Sequence, residues 1–338
     1  PSLSPPPELL EELIEEVFLR LPLKEPEHLV CASALCKPWH HLLADRGFRR
    51  RYRKFHEKPP VLGFIFIPTS SFIPSQADRP LGWDVFDARH GRALSFTTNK
   101  FSSPLEARDF GLAVWDPTTD EQHHLPPSFF SLEDYKYFMV AMLCAVEGCD
   151  HCSCQGGPFH VVAESTKKGI ISARRYSSET GAWREPTSVH HYNARAISMT
   201  SVLIGSALYF SAMPNHVIKC ELGAAPVTDT VHMAMGTLVT TEDGGLGFAS
   251  VHDTILIMWS RETGAEGWAQ HNVIDLKTML PDDDSIYMVD LKSRQVQKMV
   301  DIDDCERVYP YMSFYIPAME AVSTGQGQQV GVSSVHKI

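Results

Sequence analysis

Leu9, Leu10, Leu13, Ile14, Val17, Phe18 and Leu21 recur at intervals of one, three and four residues. That is the 3.6-residue period of a helix with one apolar stripe. Glu8, Glu11, Glu12, Glu15 and Glu16 fill the opposite face, and early acidic residues suit the positive end of a helix dipole. Pro22 cannot continue the helix, so the pattern ends it at Leu21. A second helix is expected from near Pro26, with Leu29, Val30, Ala32, Leu35 and Cys36 on its apolar side. Lys37-Pro38 is expected to end it, and Trp39, Leu42 and Leu43 to begin a third short helix. About forty residues bury too little surface to be stable unaided. Their stripes therefore either pack on the rest of the chain or leave a face for a partner.

From residue 46 to 58 the chain reads RGFRRRYRKFHEK. Phe48, Tyr52 and Phe55 lie three or four apart, on one face of a connecting helix whose arginines stay wet. A nucleic-acid patch is the sharper alternative, and nothing else in the chain supports it. Pro59-Pro60 marks a boundary, after which the pattern changes to short apolar runs rich in β-branched and aromatic residues. VLGFIFIP at 61–68 reads as a strand, and WDVFDARHGRALSF at 83–96 as two strands around Arg89-His90-Gly91. Then a unit repeats: LAVWDPTTDEQHHLP at 112–126, SARRYSSETGAWREP at 172–186, HVIKCELG at 216–223, ILIMWSRETGAEGWAQHNVIDL at 255–276 and IYMVDLKSRQVQKMV at 286–300. Trp115, Tyr176, Cys220, Trp259 and Val289 mark the copies, at spacings of about 60, 44, 40 and 30 residues. Such spacings are close to the period of propeller blades. Strand pairs precede several copies, with Gly205 and Gly244-Gly245 placed for tight turns.

These patterns predict a small all-α part of three short helices followed by an all-β propeller. Six blades are expected, one of them incomplete near the Asp282-Asp283-Asp284 run. The final strand, Tyr311 to Ile316, is expected to pair with a strand from 61–67 and close the ring, which removes open sheet edges. The expected division is a helical segment at 1–45, a basic linker helix at 46–60, the propeller at 61–320 and a flexible tail at 321–338.

A net charge of −11 argues against a chain-wide nucleic-acid-binding surface. No run reaches the roughly 18 apolar residues of a membrane span. No basic segment leads into an apolar one at the start, so no signal peptide is expected. The missing initiator Met points to a processed or trimmed form. Of eight cysteines, four lie between Cys144 and Cys154, a spacing that suits reduced thiols in cytoplasm or nucleus better than a disulfide scaffold.

ELL, then FLRLP, then LKEPEHLVCASALCKPWHHLL resembles an F-box, with Leu21-Pro22, Leu35-Cys36-Lys37 and Trp39 in the family's order. Where the family begins with Leu-Pro, this chain has Pro5-Pro6-Pro7. The resemblance implies docking onto the Skp-type adaptor of a cullin ubiquitin ligase. The adaptor-binding residues it implies are Pro7, Leu9, Leu10, Leu21, Pro22, Leu29, Val30 and Leu35, with Trp39 packing internally. Phrases such as GCDHCSCQGGPFHVV, YSSETGAWREPTSVHH and TTEDGGLGFASV resemble the propeller of plant F-box proteins of the kind abundant in grasses. The implied function is substrate recognition in an SCF-type ubiquitin ligase. The chain would be non-catalytic and cofactor-free, and would hold an unidentified target protein. The alternatives are a ligase-independent scaffold and, further off, a propeller enzyme.

Cys149, Cys152, Cys154 and His160 are candidate zinc ligands. The distant second pair of a usual zinc site is missing, so unligated loop thiols are the expected reading, with no metal. The pairs His40-His41, His123-His124 and His190-His191 are read as solvated. Asp116 and Asp290 sit at repeated turn positions, where a carboxylate caps its own backbone. Asp120, Asp243 and Asp253 show no convergent acid–base pattern. No P-loop, nucleophile elbow or dinucleotide fingerprint is present.

Overall fold

The apolar runs before Val61 form four helices in the structure, a computed structural model. It describes residues 11–23, 25, 27–56, 61–67, 72–73, 83–98, 110–117, 121–127, 138–146, 149, 154, 156–191, 195–213, 216–221, 224–230, 236–261, 267–283, 285–291, 293–301 and 307–312. The described residues fall into two compact units: the four helices, and an all-β unit over Gly63–Met312. Among the described residues no helix is long and apolar enough to cross a membrane.

Helix α1 (Glu11–Leu19) stops two residues short of the expected Leu21, in a turn closed by Arg20 N donating to Val17 O at 3.1 Å. α2 spans Glu27–Leu35. Lys37-Pro38 does not end α2 in the way its sequence suggests; it opens α3 (Lys37–Ala44). Cys36 is extended at the N-cap and Pro38 lies in the first turn, where its missing N–H is no loss. α4 (Arg46–His56) is capped by Asp45, whose Oδ2 accepts from Phe48 N at 2.8 Å. Phe18, Leu19, Leu29, Ala32, Leu43, Phe48 and Tyr52 make one buried cluster. Phe18 meets Trp39 edge-on at 5.2 Å between ring centres, and Phe48 stacks on Tyr52 at 5.9 Å. The basic helix thus completes a core that three helices alone could not.

The all-β unit begins with β1 (Val61–Ile67), paired antiparallel to β2 (Phe72–Ile73). A second sheet runs in order through β3 (Trp83–Arg89), β4 (Arg92–Thr98), β5 (Phe110–Asp116) and β6 (Glu121–His124). The third holds β7 (Phe138–Cys144), β8 (Phe159–Lys167) and β9 (Ile170–Ser177). On the outer edge of β9, β10 (Ala182–Trp183) and β11 (Thr187–His190) pair one after the other. The fourth holds β12 (Arg195–Ile204), β13 (Ala207–Met213), β14 (His216–Glu221) and β15 (Val227–Thr230). The fifth holds β16 (Thr237–Thr240), β17 (Leu246–His252), β18 (Ile255–Arg261) and β19 (Trp268–Asp275). Among the described residues β20 (Ser285–Val289) and β21 (Val296–Asp301) form a sheet of two. Finally β22 (Arg307–Met312) returns to the free edge of β1, so the first and last strands share a sheet.

Tight turns set the register. His90-Gly91 and Lys168-Gly169 have positive φ at both positions, the two-residue turn whose twist matches the flanking strands. Gly205 and Gly244 also take positive φ, as expected from their places between strands. Four of the five repeat marks occupy one structural position. Trp115, Tyr176, Cys220 and Trp259 each lie buried on the third strand of a sheet. Val289 sits instead on the first strand of the two-stranded sheet.

The second to fifth sheets pack one on the next through apolar side chains. Phe86, Phe96, Val114, Val140, Phe159 and Tyr176 join the second sheet to the third. Met139, Leu143, Ile171, Leu208, Phe210 and Ile218 join the third to the fourth. Val202, Val217, Leu238, Phe248 and Trp259 join the fourth to the fifth. Consecutive antiparallel sheets stacked through their faces, with the leading strands of neighbouring sheets in contact, make a β-propeller-like domain.

Polar bonds also cross between the leading strands. Asp87 on β3 is buried, pairs with Arg89 at 2.9 Å and accepts from Met142 N on β7 at 2.8 Å. Arg89 in turn donates to Ser201 O on β12 at 2.9 Å and to Ser201 Oγ at 2.7 Å. Burial pushes the Asp87 carboxyl above its usual range, against Arg89 and the Met142 N–H, which favour the charged form. Tyr311 on β22 does similar work at the closing sheet, donating to Gly91 O at 2.8 Å.

Two outcomes follow from these buried groups. Asp87→Ala strands a largely buried guanidinium, so chemical unfolding of the full chain is expected to show a loss of about 3–5 kcal/mol. The Asp87→Ala/Arg89→Ala double variant should lose less than the sum of its parts, and purely additive losses would contradict the coupling. Glu164 lies buried between sheets with Thr166 Oγ1 donating to it at 3.0 Å, and burial pushes its carboxyl up from 4.5 to about 8. Folding therefore favours the protonated form. Its stabilisation is full below about 4.5 and is lost as pH rises towards about 8. Melting temperatures from pH 5 to 9 should fall more steeply for the wild type than for Glu164→Gln; parallel curves would refute the assignment.

Candidate functional site

The helical unit has more apolar surface than its core absorbs. On α1, Ile14, Phe18 and Leu19 turn inward, while Leu13 and Val17, one turn apart, remain 52% and 60% exposed. On α2, Leu29 and Ala32 turn inward, while Val30 and Leu35 are 39% and 71% exposed. Exposed aliphatic residues on two short helices of one small unit are what a partner-binding surface requires.

The eight residues that the F-box resemblance implies divide accordingly. Pro7, Leu9 and Leu10 lie outside the described residues. Pro22, Val30 and Leu35 are exposed, and Leu21 is half-buried against the helical core. Leu29 is 2% exposed and packs within the unit, so it supports the surface from beneath and presents no face of its own. Trp39 packs internally, as expected. Leu13 and Val17 were absent from that set. Their signal in the sequence is an apolar stripe too wide for one line of core contacts.

The basic helix is partly engaged in holding its own unit. Arg49 donates through Nε to Ala44 O at 3.1 Å, at the C-terminal end of α3. Arg51 pairs with Glu15 on α1, and Arg20 with Glu16. Phe55, placed on the packed face by its spacing, is exposed, with the Arg20 guanidinium 6.0 Å from its ring centre. Burial raises the Tyr52 hydroxyl to about 12 and lowers His56.

In the all-β unit two of the aspartates singled out in the sequence cap turns, and Asp116 instead reaches another strand. Asp290 accepts from Ser293 N at 3.1 Å, and Asp243 accepts from Thr241 Oγ1 within its turn. Asp116 accepts from Tyr311 at 3.2 Å, and Asp253 occupies a positive-φ position in the β17–β18 turn. Asp120 lies outside the described residues. His123 is exposed, as expected, and its Nε2 also bonds to the Tyr176 hydroxyl at 2.7 Å.

The cysteine candidates are regrouped. Cys144, Cys149 and Cys154 bring their sulfurs within 4.8 Å of one another. Cys144, at the end of β7, was not in the zinc set read from sequence; Cys152 lies outside the described residues. His160 is on β8 but outside this group, with its basicity lowered by burial and then by Arg175. Burial pushes the Cys144 and Cys154 thiols up in pKa.

Comparison with known proteins agrees with the helical reading. The F-box domain model matches residues 7–51. A protein of Arabidopsis thaliana named as an F-box protein is 21% identical, over 80% of this chain and 68% of its own length. Among solved structures, a protein of unknown function from Bacteroides caccae covers 69% of this chain and 77% of its own, at 7% identity and a TM-score of 0.36. An oligogalacturonate lyase from Vibrio parahaemolyticus covers 72% and 86%, at 10% identity and a TM-score of 0.33. Superpositions this loose carry no argument about fold or chemistry. Residues 7–51 thus match the F-box domain, and the chain at large is similar to a plant protein named as an F-box protein.

Proposed function

We propose that this protein is a substrate receptor of an SCF-type ubiquitin ligase. Its F-box docks a Skp-type adaptor, the adaptor links it to a cullin, and the all-β unit holds a target protein. F-box domains generally bind Skp-type adaptors. The observation that carries the reading is the exposed set Leu13, Val17, Val30 and Leu35 within the matched stretch. In this reading the basic helix at Arg46–His56 belongs with the helices before it, since Phe48 and Tyr52 sit in their shared core. The six sheets among the described residues are six blades, the one at β20–β21 reduced, and the propeller is of the type found in grass F-box proteins. The receptor works in cytoplasm or nucleus and does no ubiquitin chemistry itself. It acts by raising the target's concentration beside the ligase. Blade loops, which vary freely in propellers, set the target.

Leu21 and Leu29 are poor probes of docking because both contribute to the helical core. Val17→Asp/Leu35→Asp changes exposed positions only. Desolvating two aliphatic side chains contributes about 1.5–3 kcal/mol each, so the double variant should bind purified adaptor at least ~100-fold more weakly with an unchanged circular dichroism melt. Undiminished affinity would overturn the assignment of this face.

A further inference from the structure

Between β7 and β8 the chain crosses residues 145 to 158, far more than the roughly two to five of an ordinary hairpin. Three cysteines punctuate that crossing. Cys144 ends the incoming strand, Cys149 follows a turn closed by its own N–H donating to Val146 O at 3.3 Å, and Cys154 precedes a turn closed by Gly157 N donating to Cys154 O at 3.0 Å. All three sulfurs lie within 4.8 Å of one another. A fourth donor arrives from the neighbouring sheet. His90, held at φ 54° in the β3–β4 turn, places Nδ1 3.5 Å from Cys154 Sγ, though it lies outside the 4.8 Å convergence of the three sulfurs.

We propose that Cys144, Cys149, Cys154 and His90 form a tetrahedral zinc site that fastens the β7–β8 crossing to the β3–β4 turn. In such a site Zn–S bonds of about 2.3 Å set the sulfurs about 3.8 Å apart, and a Zn–N bond of about 2.0 Å sets nitrogen to sulfur at about 3.5 Å. The His90–Cys154 distance already meets that value. The sulfurs close in by about 1 Å or less, and the His90 ring moves towards Cys144 and Cys149, to complete the tetrahedron. Two features suit thiolate ligands. Val146 N donates to Cys144 Sγ at 3.3 Å, a bond that offsets charge on a metal-bound sulfur. Arg92 lies within electrostatic reach of Cys144 and Cys154, anchored by its bond to Gly157 O at 2.9 Å and by the Phe159 ring at 5.0 Å. Three thiolates and a neutral imidazole around Zn²⁺ leave one net negative charge, which that guanidinium, shared with Asp116 and Glu121, offsets in part. On binding, three thiol protons pass to solvent and no oxidation state changes. The site differs from a Cys149, Cys152, Cys154, His160 set by exchanging two members for residues that only the fold brings near.

The full chain, purified without chelator, is expected to carry one zinc per molecule by elemental analysis. Zinc-stripped chain titrated with Co²⁺ should develop thiolate-to-cobalt charge-transfer absorption at a stoichiometry of one. Cys144→Ser, Cys149→Ser and Cys154→Ser should each abolish that absorption. His90→Ala should weaken binding at least tenfold and shift the visible cobalt bands. Cys152→Ser and Cys220→Ser should leave both unchanged. The proposal is overturned by wild-type chain that holds no zinc and shows no sulfur-to-cobalt absorption, by a disulfide among the three cysteines in the purified protein, or by loss of the metal in Cys152→Ser with retention in His90→Ala. None of these readouts involves the adaptor, so they succeed or fail independently of the ligase reading.

Discussion

A β-sheet with apolar side chains on both faces must have both faces covered, and the all-β unit meets that constraint by packing its second to fifth sheets one on the next. The clusters around Phe86 and Tyr176, around Leu208 and Ile218, and around Phe248 and Trp259 are successive instances of one solution. Because burial of apolar area is the dominant favourable term in folding, this stacking decides where everything else falls. It sets the leading strands against one another and so lets Asp87, Arg89, Met142 and Ser201 meet. It also brings β22 back to β1, which gives the last strand a partner and the first strand a covered edge. The His90 turn beside the Cys144–Cys154 crossing is a further consequence, since these lie on adjacent sheets.

The helical unit obeys the same rule and ends with a surplus. Four helices of eight to eleven residues enclose one small core, and the aliphatic residues that do not fit remain in water. Leaving Leu13, Val17, Val30 and Leu35 exposed forgoes stabilisation in the free chain. The same surface becomes binding energy once a partner covers it. The charged groups around it do local work. Arg49 satisfies the end of α3 and Arg51 ties α4 to α1, so the basic segment is at least in part a structural strut.

Much of this was legible in the residues because local rules and the fold agree. The 3.6 period marked the helices, and glycine at turn positions marked the hairpins. The aromatic marks Trp115, Tyr176 and Trp259 located the third strand of successive sheets, since a large side chain buried between sheets recurs wherever the stacking recurs. Periodicity defines a stripe but not its neighbour, so it could not separate inward Ile14 and Phe18 from outward Leu13 and Val17, nor show that Leu29 is covered. Pro38 was ambiguous because proline both ends one helix and opens the next. Asp87 and Ser201 are joined through Arg89 across more than a hundred residues, and no spacing announces such a link. Cys144 and His90 escaped for the same reason: one ends a strand, the other sits on a turn of a different sheet, and only the folded chain sets them beside Cys154.

The central claim is that the exposed aliphatic face of the F-box unit is buried by a Skp-type adaptor. Calorimetric titration of the intact chain with purified adaptor at several temperatures tests it most directly, because removal of apolar surface from water gives a negative heat-capacity change. The account predicts one-to-one binding whose enthalpy becomes more favourable as temperature rises. Absence of binding, or binding with an enthalpy independent of temperature, would contradict it.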